Sequence, residues 1–128
     1  MRFLEIHIEV ADLEASRSFY RKLLPVTKEV AWTDGSAVAL VLSDGTALGL
    51  WKKGKTGLYN GRGGAHLHFA LQIEPGEYDE YLKRLKSLNI EVIEHRWDDG
   101  QRSLYFFDPD GHQGEFMTKD WLGRTSES

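Results

Sequence analysis

Residues 5–24 read EIHIEVADLEASRSFYRKLL, and the hydrophobic period changes halfway along this stretch. Over the first six residues apolar and polar side chains alternate, which is typical of a β-strand with one buried face. Asp12 then suits a helix N-cap, and apolar residues recur at helical spacing up to Leu24, just before Pro25. The stretch therefore predicts a strand followed by an amphipathic helix.

The same order of elements occurs twice along the chain. Strands are predicted at 3–10, 28–33, 36–43 and 46–53 in the first half, and at 66–73, 90–95, 102–107 and 113–118 in the second. The second helix is predicted to begin at Pro75. The halves also align, with Glu5 opposite His68 and Gly49 opposite Glu115. The sequence therefore predicts a tandem duplication of a βαβββ module, an α+β fold.

Length and composition limit the organisation of the chain. Its 128 residues predict one domain, with module 1 at about 1–53, a glycine-rich linker at about 54–64, module 2 at about 65–118 and a polar tail at about 119–128. A net charge of −4 with scattered basic residues argues against nucleic-acid binding. No apolar run approaches the ~20 residues that a membrane span needs. The chain has no cysteine and begins with a strand pattern rather than a signal peptide, so we expect a cytoplasmic location.

The polar residues of the strands are expected to share one side of the sheets. In each half the helix covers one face, and that face is the apolar one. The polar face of the first strand of each module then carries Glu5, His7, His66 and His68. In the last strand Phe116 belongs to the helix side, which turns Glu115 to the opposite, concave side.

These stretches, together with HFALQI and YFFDPDGHQGEF, resemble the vicinal oxygen chelate superfamily over about residues 3–118. That group includes glyoxalase I, fosfomycin- and bleomycin-resistance proteins and extradiol dioxygenases. The resemblance implies two modules whose mixed sheet curls around a central cavity that holds a divalent metal, and commonly a homodimer. Carried over to this sequence, it implies metal ligands at Glu5, His68 and Glu115, with Gly49 at a fourth position that cannot coordinate.

The first-strand ligand in such proteins is more usually His, whereas Glu5 stands there with His7 two residues along; either residue could be the ligand. Three ligands leave open positions for a small-molecule substrate, which suits electrophilic catalysis. Two carboxylates and one imidazole favour Mn, Mg, Fe or Ni over structural Zn, and the identity of the metal stays open.

The expected function is a metal-dependent lyase, isomerase or transferase that chelates a small oxygenated substrate through two oxygens. The alternative is a metal-free protein that binds a drug-like or aromatic molecule. In that case Glu5 could pair with Arg62 or Arg102, and the histidines would be ordinary cavity residues.

Five further residues are candidates for catalysis or substrate binding. If His7 is not a ligand, it is a candidate general base. Tyr105 stands in an SxYF context that contacts substrate in fosfomycin-resistance proteins, and Arg124 stands where those transferases bind a phosphonate. Trp51 is expected to wall the cavity and His66 to lie at its rim.

Two observations point away from further roles. The loop HRWDDGQ at 95–101 lacks the cation-binding character found in fosfomycin transferases, which argues against fosfomycin as the substrate. His112, in the PDGH turn, is expected to be exposed to solvent.

Overall fold

The structure is a computed structural model that describes residues 3–54 and 68–119. Contacts within the chain divide it into two compact units, Met1–Ala65 and His66–Ser128. In the part of the chain that the structure describes, each unit has one strand, one α-helix and three further strands in that order, which confirms the predicted βαβββ modules and the α+β class. Within the described residues, no helix is long and apolar enough to cross a membrane.

Module 1 forms a four-stranded mixed sheet in the order β1-β4-β3-β2, in which β1 and β4 are parallel. The Asp12 side chain accepts a hydrogen bond from the amide of Ala15 at 3.0 Å and caps the helix as predicted. The second strand begins and ends two residues earlier than expected, because a bulge lets Val26 pair with Leu42 and the chain turns at Trp32. The elements are β1 Glu5–Val10, α1 Leu13–Leu23, β2 Val26–Ala31, β3 Ala37–Leu42 and β4 Ala47–Lys52.

Module 2 repeats this topology in the order β5-β8-β7-β6, again with the first and last strands parallel. The turn Pro75–Glu77 is a 3-10 helix that precedes the α-helix, so Pro75 begins the helical segment but not the α-helix itself. The described elements are β5 His68–Gln72, α2 Tyr78–Ser87, β6 Val92–Arg96, β7 Arg102–Phe107 and β8 Gln113–Met117.

Aromatic packing shows which face of the second sheet the helix covers. The ring of Tyr81, in α2, stacks on Phe116 with 4.4 Å between centroids, and Phe116 stacks on Phe106. Because successive strand residues point to opposite faces, Glu115 lies on the face that α2 does not cover. This confirms the predicted orientation of Phe116 and Glu115.

The duplication extends to one hairpin turn of each module. The sequence is WTDG at 32–35 and WDDG at 97–100. Trp32 accepts a backbone hydrogen bond from Gly35, and Trp97 accepts one from Gly100. Both glycines have positive φ, +76° and +85°, which the turn requires and which other residues adopt only with strain. Each module therefore carries a tryptophan at the same position of its turn.

Candidate functional site

Module 2 contains a pocket of about 360 Å³. The structure places three of the residues predicted from sequence, His68, Tyr105 and Glu115, on its walls. Among the described residues, its lining consists of His68, Trp97, Tyr105, Glu115, Met117 and Lys119.

Strand register explains why these side chains meet. Glu115 lies opposite Tyr105 on one neighbouring strand and opposite Ala70 on the other. His68 is two residues before Ala70 and therefore faces the same side of the sheet. The small side chain at Ala70 leaves space between the imidazole and the carboxylate. The sheet thus presents a carboxylate, a phenol and an imidazole side by side.

Glu115 is a buried carboxylate that has neutral hydrogen-bond partners. Only 4% of the residue is exposed, and its Oε2 accepts a hydrogen bond from the Ser103 hydroxyl at 2.7 Å. Within residues 3–54 and 68–119, no Lys, Arg or His side chain lies within ion-pair distance of it. Lys119 also lines the pocket, but its ammonium group pairs with Asp99 at 3.2 Å. Since buried charges in proteins are paired or coordinate metals, this donor set fits a divalent cation.

Tyr105 remains protonated at neutral pH in this environment. Burial, followed by the negative charge of the neighbouring Glu115, raises the pKa of the Tyr105 phenol above its ordinary value. The Ser103 hydroxyl opposes this effect. Tyr105 is therefore a hydrogen-bond donor in the pocket rather than a base.

In module 1 the predicted residues Glu5, His7 and Trp51 form one hydrogen-bonded group. The Trp51 indole donates to Nδ1 of His7 at 2.7 Å, and Nε2 of His7 lies 3.1 Å from Oε2 of Glu5. The His7 ring lies directly over Gly49, its partner in the strand register. Glu5 thus pairs with His7. Arg102, which the metal-free alternative offered as a partner of Glu5, packs its guanidinium over the ring of Tyr78 at 3.7 Å.

The candidate metal ligands come from both modules. Glu5 belongs to module 1, whereas His68 and Glu115 share the pocket of module 2. Their convergence on one ion remains a prediction. His66, Arg62 and Arg124 lie outside the described residues.

A second group of ligand-type side chains lies in the turn between β7 and β8. Ligand atoms of Asp108, Asp110 and His112 fall within 4.8 Å of one another. Asp108 already accepts hydrogen bonds from the amides of Asp110 and His112 and contacts Nδ1 of His112 at 2.8 Å. With this pairing the His112 side chain is 20% exposed, so His112 is partly buried rather than exposed to solvent as expected.

Sequence reasoning missed the roles of Ser103 and Lys119. The signal for Ser103 was its position two residues before Tyr105, which places both side chains on the pocket face. Lys119 follows the last strand, where alternation gives no guidance.

Comparison with known proteins identifies metallothiol transferases among the relatives of this chain. The chain is 33% identical to a metallothiol transferase FosB of Staphylococcus saprophyticus over 118 residues, covering 85% of this chain and 71% of that protein. It is 31% identical to a protein of the same name from Lysinibacillus sphaericus over 116 residues, covering 85% and 76%. These relatives span nearly the whole fold.

Solved structures share the architecture. A lactoylglutathione lyase from Agrobacterium tumefaciens superposes with a TM-score of 0.74 at 26% identity, covering 91% of this chain and 92% of that one. Another solved structure is a single-site variant of the fosfomycin resistance protein FosX from Listeria monocytogenes, in complex with Mn(II) and 1S,2S-dihydroxypropylphosphonic acid. It superposes with a TM-score of 0.74 at 23% identity, covering 94% of this chain and 91% of that one, which shows a shared fold. The family model for the glyoxalase/bleomycin resistance protein/dioxygenase superfamily matches residues 2–116. The chain therefore belongs to the glyoxalase/bleomycin resistance protein/dioxygenase superfamily.

Proposed function

We propose that this protein is a divalent-metal-dependent transferase that joins a thiol to a small oxygenated electrophile. The observation that carries the proposal is the buried Glu115 carboxylate, which shares its pocket with His68 and accepts a hydrogen bond from the neutral Ser103 hydroxyl, with no cationic side chain of the described residues paired to it. The similarity to metallothiol transferases supports the choice of reaction class.

His68 and Glu115 would hold the metal from module 2, and Glu5 would hold it from module 1, with His7 as the alternative. A bound divalent cation would supply electrophilic activation by neutralising negative charge on the substrate oxygens. The oxygen-rich donor set favours Mn, Mg, Fe or Ni over Zn.

The chain's own residues would orient the substrate and move a proton. In a thiol transfer the thiol gives up its proton, the sulfur forms a bond to carbon, the carbon–oxygen bond breaks, and the released oxygen takes up a proton. Tyr105 would donate a hydrogen bond to that oxygen, and its protonated phenol beside Glu115 supports this role. His7 is the poorer candidate for a base, because its Nδ1 lone pair already accepts a hydrogen bond from Trp51.

Calorimetric titration with Mn²⁺ tests the metal site directly. We expect one ion per chain for the wild type and no binding for Glu115→Gln, which keeps the shape of the side chain and removes its charge. Asp110→Asn is the matched control, because it removes a carboxylate from the second ligand-type group. Loss of binding in Asp110→Asn together with retention in Glu115→Gln would refute the proposed centre.

Fosfomycin is the first substrate to test because it appears in the names of FosX relatives, one of them 43% identical over 47 residues. The loop at 95–101 argued against it on sequence grounds, so a panel of other small epoxides is tested in parallel by mass spectrometry of the thiol adduct. Phosphorus NMR with cysteine or glutathione should show a thiol adduct that depends on added metal. An adduct that forms equally in the presence of chelator would exclude the metal-dependent reaction.

The metal-free binding function remains the second candidate. It is favoured by the pocket walls contributed by Trp97, Tyr105 and Met117, which offer aromatic and polarisable surface to a flat ligand. Absence of bound metal after reconstitution, combined with quenching of tryptophan fluorescence by aromatic ligands, would select it. A homodimer also remains a prediction, which light scattering on the purified protein would check.

A further inference from the structure

Each module contains a chain of two polar contacts with the same chemical order. It starts at a tryptophan indole N–H, passes through one polar side chain and ends at a carboxylate in a proposed metal-ligand position. We call each chain an indole relay. The two indole relays are Trp51–His7–Glu5 and Trp97–Ser103–Glu115.

In module 2 the direction of the relay is fixed by chemistry. An indole nitrogen can only donate, so the Trp97 indole, 3.0 Å from the Ser103 oxygen, must give its hydrogen to that oxygen. The Ser103 hydroxyl then directs its own hydrogen to Oε2 of Glu115 at 2.7 Å. Ser103 is completely buried, so solvent does not compete for either hydrogen bond. The indole of Trp97 therefore occupies the Ser103 oxygen as a donor and favours the orientation in which the serine hydrogen points to Glu115.

In module 1 the same reasoning fixes the tautomer of His7. The Trp51 indole donates to Nδ1, so that nitrogen carries a lone pair and the ring proton lies on Nε2. Nε2 then donates to Oε2 of Glu5 across 3.1 Å. Gly49 makes the arrangement possible, because a Cβ at this position would lie 2.1 Å from Nδ1.

The two relays are not copies of one ancestral contact. Trp97 stands in the WDDG turn of module 2, and its counterpart in the WTDG turn of module 1 is Trp32. Trp32 packs its ring against Trp51 at 5.1 Å, and the relay of module 1 starts instead from Trp51 in β4. Both relays therefore end at a carboxylate, but one starts from a strand and the other from a turn. This points to a requirement at the two carboxylates rather than to inherited packing.

We propose that Trp51 and Trp97 are positioning residues that orient Glu5 and Glu115 for the cation through His7 and Ser103. The inference rests on the proposed metal-dependent function. Hydrogen bonds behind a ligand fix its rotamer and increase its basicity, and their removal typically lowers metal affinity ~10–100-fold. The relays would give two carboxylates from separate modules a fixed orientation before the ion arrives.

Mn²⁺ titration of the full chain tests the relay of module 2. Trp97→Phe and Ser103→Ala should each weaken binding ~10–100-fold, and the double variant should bind no more weakly than Ser103→Ala alone, because both changes break one relay. Ser87→Ala is the matched control, because its exposed hydroxyl donates to the carbonyl of Arg84 in α2, and this variant should bind as the wild type does. Wild-type affinity in Trp97→Phe, or losses that multiply in the double variant, would overturn the inference. Absence of binding in the wild type would instead refute the proposed function.

Nitrogen NMR of the metal-free protein tests the relay of module 1 without metal or activity. The wild type should show an unprotonated Nδ1 and a protonated Nε2 in His7, and Trp51→Phe should shift the Nδ1 resonance and redistribute the two tautomers. A proton on Nδ1 in the wild type, or an unchanged spectrum in Trp51→Phe, would overturn the assignment. If Trp97→Phe does not fold, Mn²⁺ titration of Ser103→Ala still tests the relay of module 2, and this spectrum still tests the relay of module 1.

Discussion

Replacement of Gly49 by alanine should destabilise the protein only when His7 is present. The new Cβ would lie 2.1 Å from Nδ1 and 2.6 Å from Cε1 of the ring, whereas ordinary contact begins at 3.4 Å. The partly exposed ring must therefore move, which breaks its contacts with Trp51 and Glu5. Gly49 has no positive φ, so its backbone accepts alanine without strain.

The magnitude follows from these contacts. Two hydrogen bonds at ~1 kcal/mol each are lost. Alanine also reduces the conformational entropy of the unfolded chain, which stabilises the folded state by about 0.4–1 kcal/mol. Gly49→Ala should thus lower the free energy of unfolding by about 1 kcal/mol. In a His7→Ala background the clash is gone and the same substitution should stabilise by about 0.4–1 kcal/mol.

Urea denaturation of the four proteins in this cycle measures the coupling between the two positions. We expect a coupling energy of about 2 kcal/mol, well above the ~0.5 kcal/mol within which independent sites add. If Gly49→Ala had the same effect with and without the imidazole, the ring would not lie over the glycine and the account of module 1 would be wrong.

Three further predictions concern single sites. Gly114→Ala would place a Cβ 2.2 Å from the fully buried ring of Phe106, so it should destabilise by about 1–3 kcal/mol in urea denaturation, more than Gly49→Ala. Burial, aided by a hydrogen bond to Glu94, raises the pKa of Tyr78 to about 12. The protonated phenol therefore contributes its full share to the free energy of unfolding below pH 10, and about 2–3 kcal/mol of that free energy is lost as the pH rises to 12. Tyr78→Phe should flatten this alkaline decline. A hydrogen bond from Arg17 of α1 lowers the pKa of Glu29. In acid denaturation, the wild type should therefore be more stable than Glu29→Gln at pH 7, and this difference should disappear as the pH falls through the pKa of Glu29.

The orientation of the strands could be predicted from the sequence because it depends on a period of two. Ile8 and Val10 are buried and Phe116 packs under α2, as alternation requires. Once these faces were fixed, Glu115 and His68 had to share the other side of the second sheet. Local chemistry likewise predicted the Asp12 cap.

The contacts between polar side chains could not be predicted in the same way. Trp97 reaches Ser103 because a glycine with positive φ closes the turn that carries it, and sequence spacing does not specify that direction. His112 was misjudged because the Asp108 side chain turns back to bind its ring and its amide. Such interactions depend on rotamers and turn geometry, which hydrophobic periodicity does not contain.

Gly49 illustrates how the meaning of a residue changes once strand register is known. By alignment alone it is a missing fourth ligand, opposite Glu115 in the duplicated half. The structure pairs it with His7, whereas the corresponding pair in module 2 is Ala70 with Glu115. In each pair one strand contributes a large polar side chain and its neighbour a small one, and at Gly49 the His7 ring occupies the space that a Cβ would need. The glycine at residue 49 and the position of the His7 ring therefore depend on each other, and a carboxylate side chain at residue 49 would require the His7 ring to move.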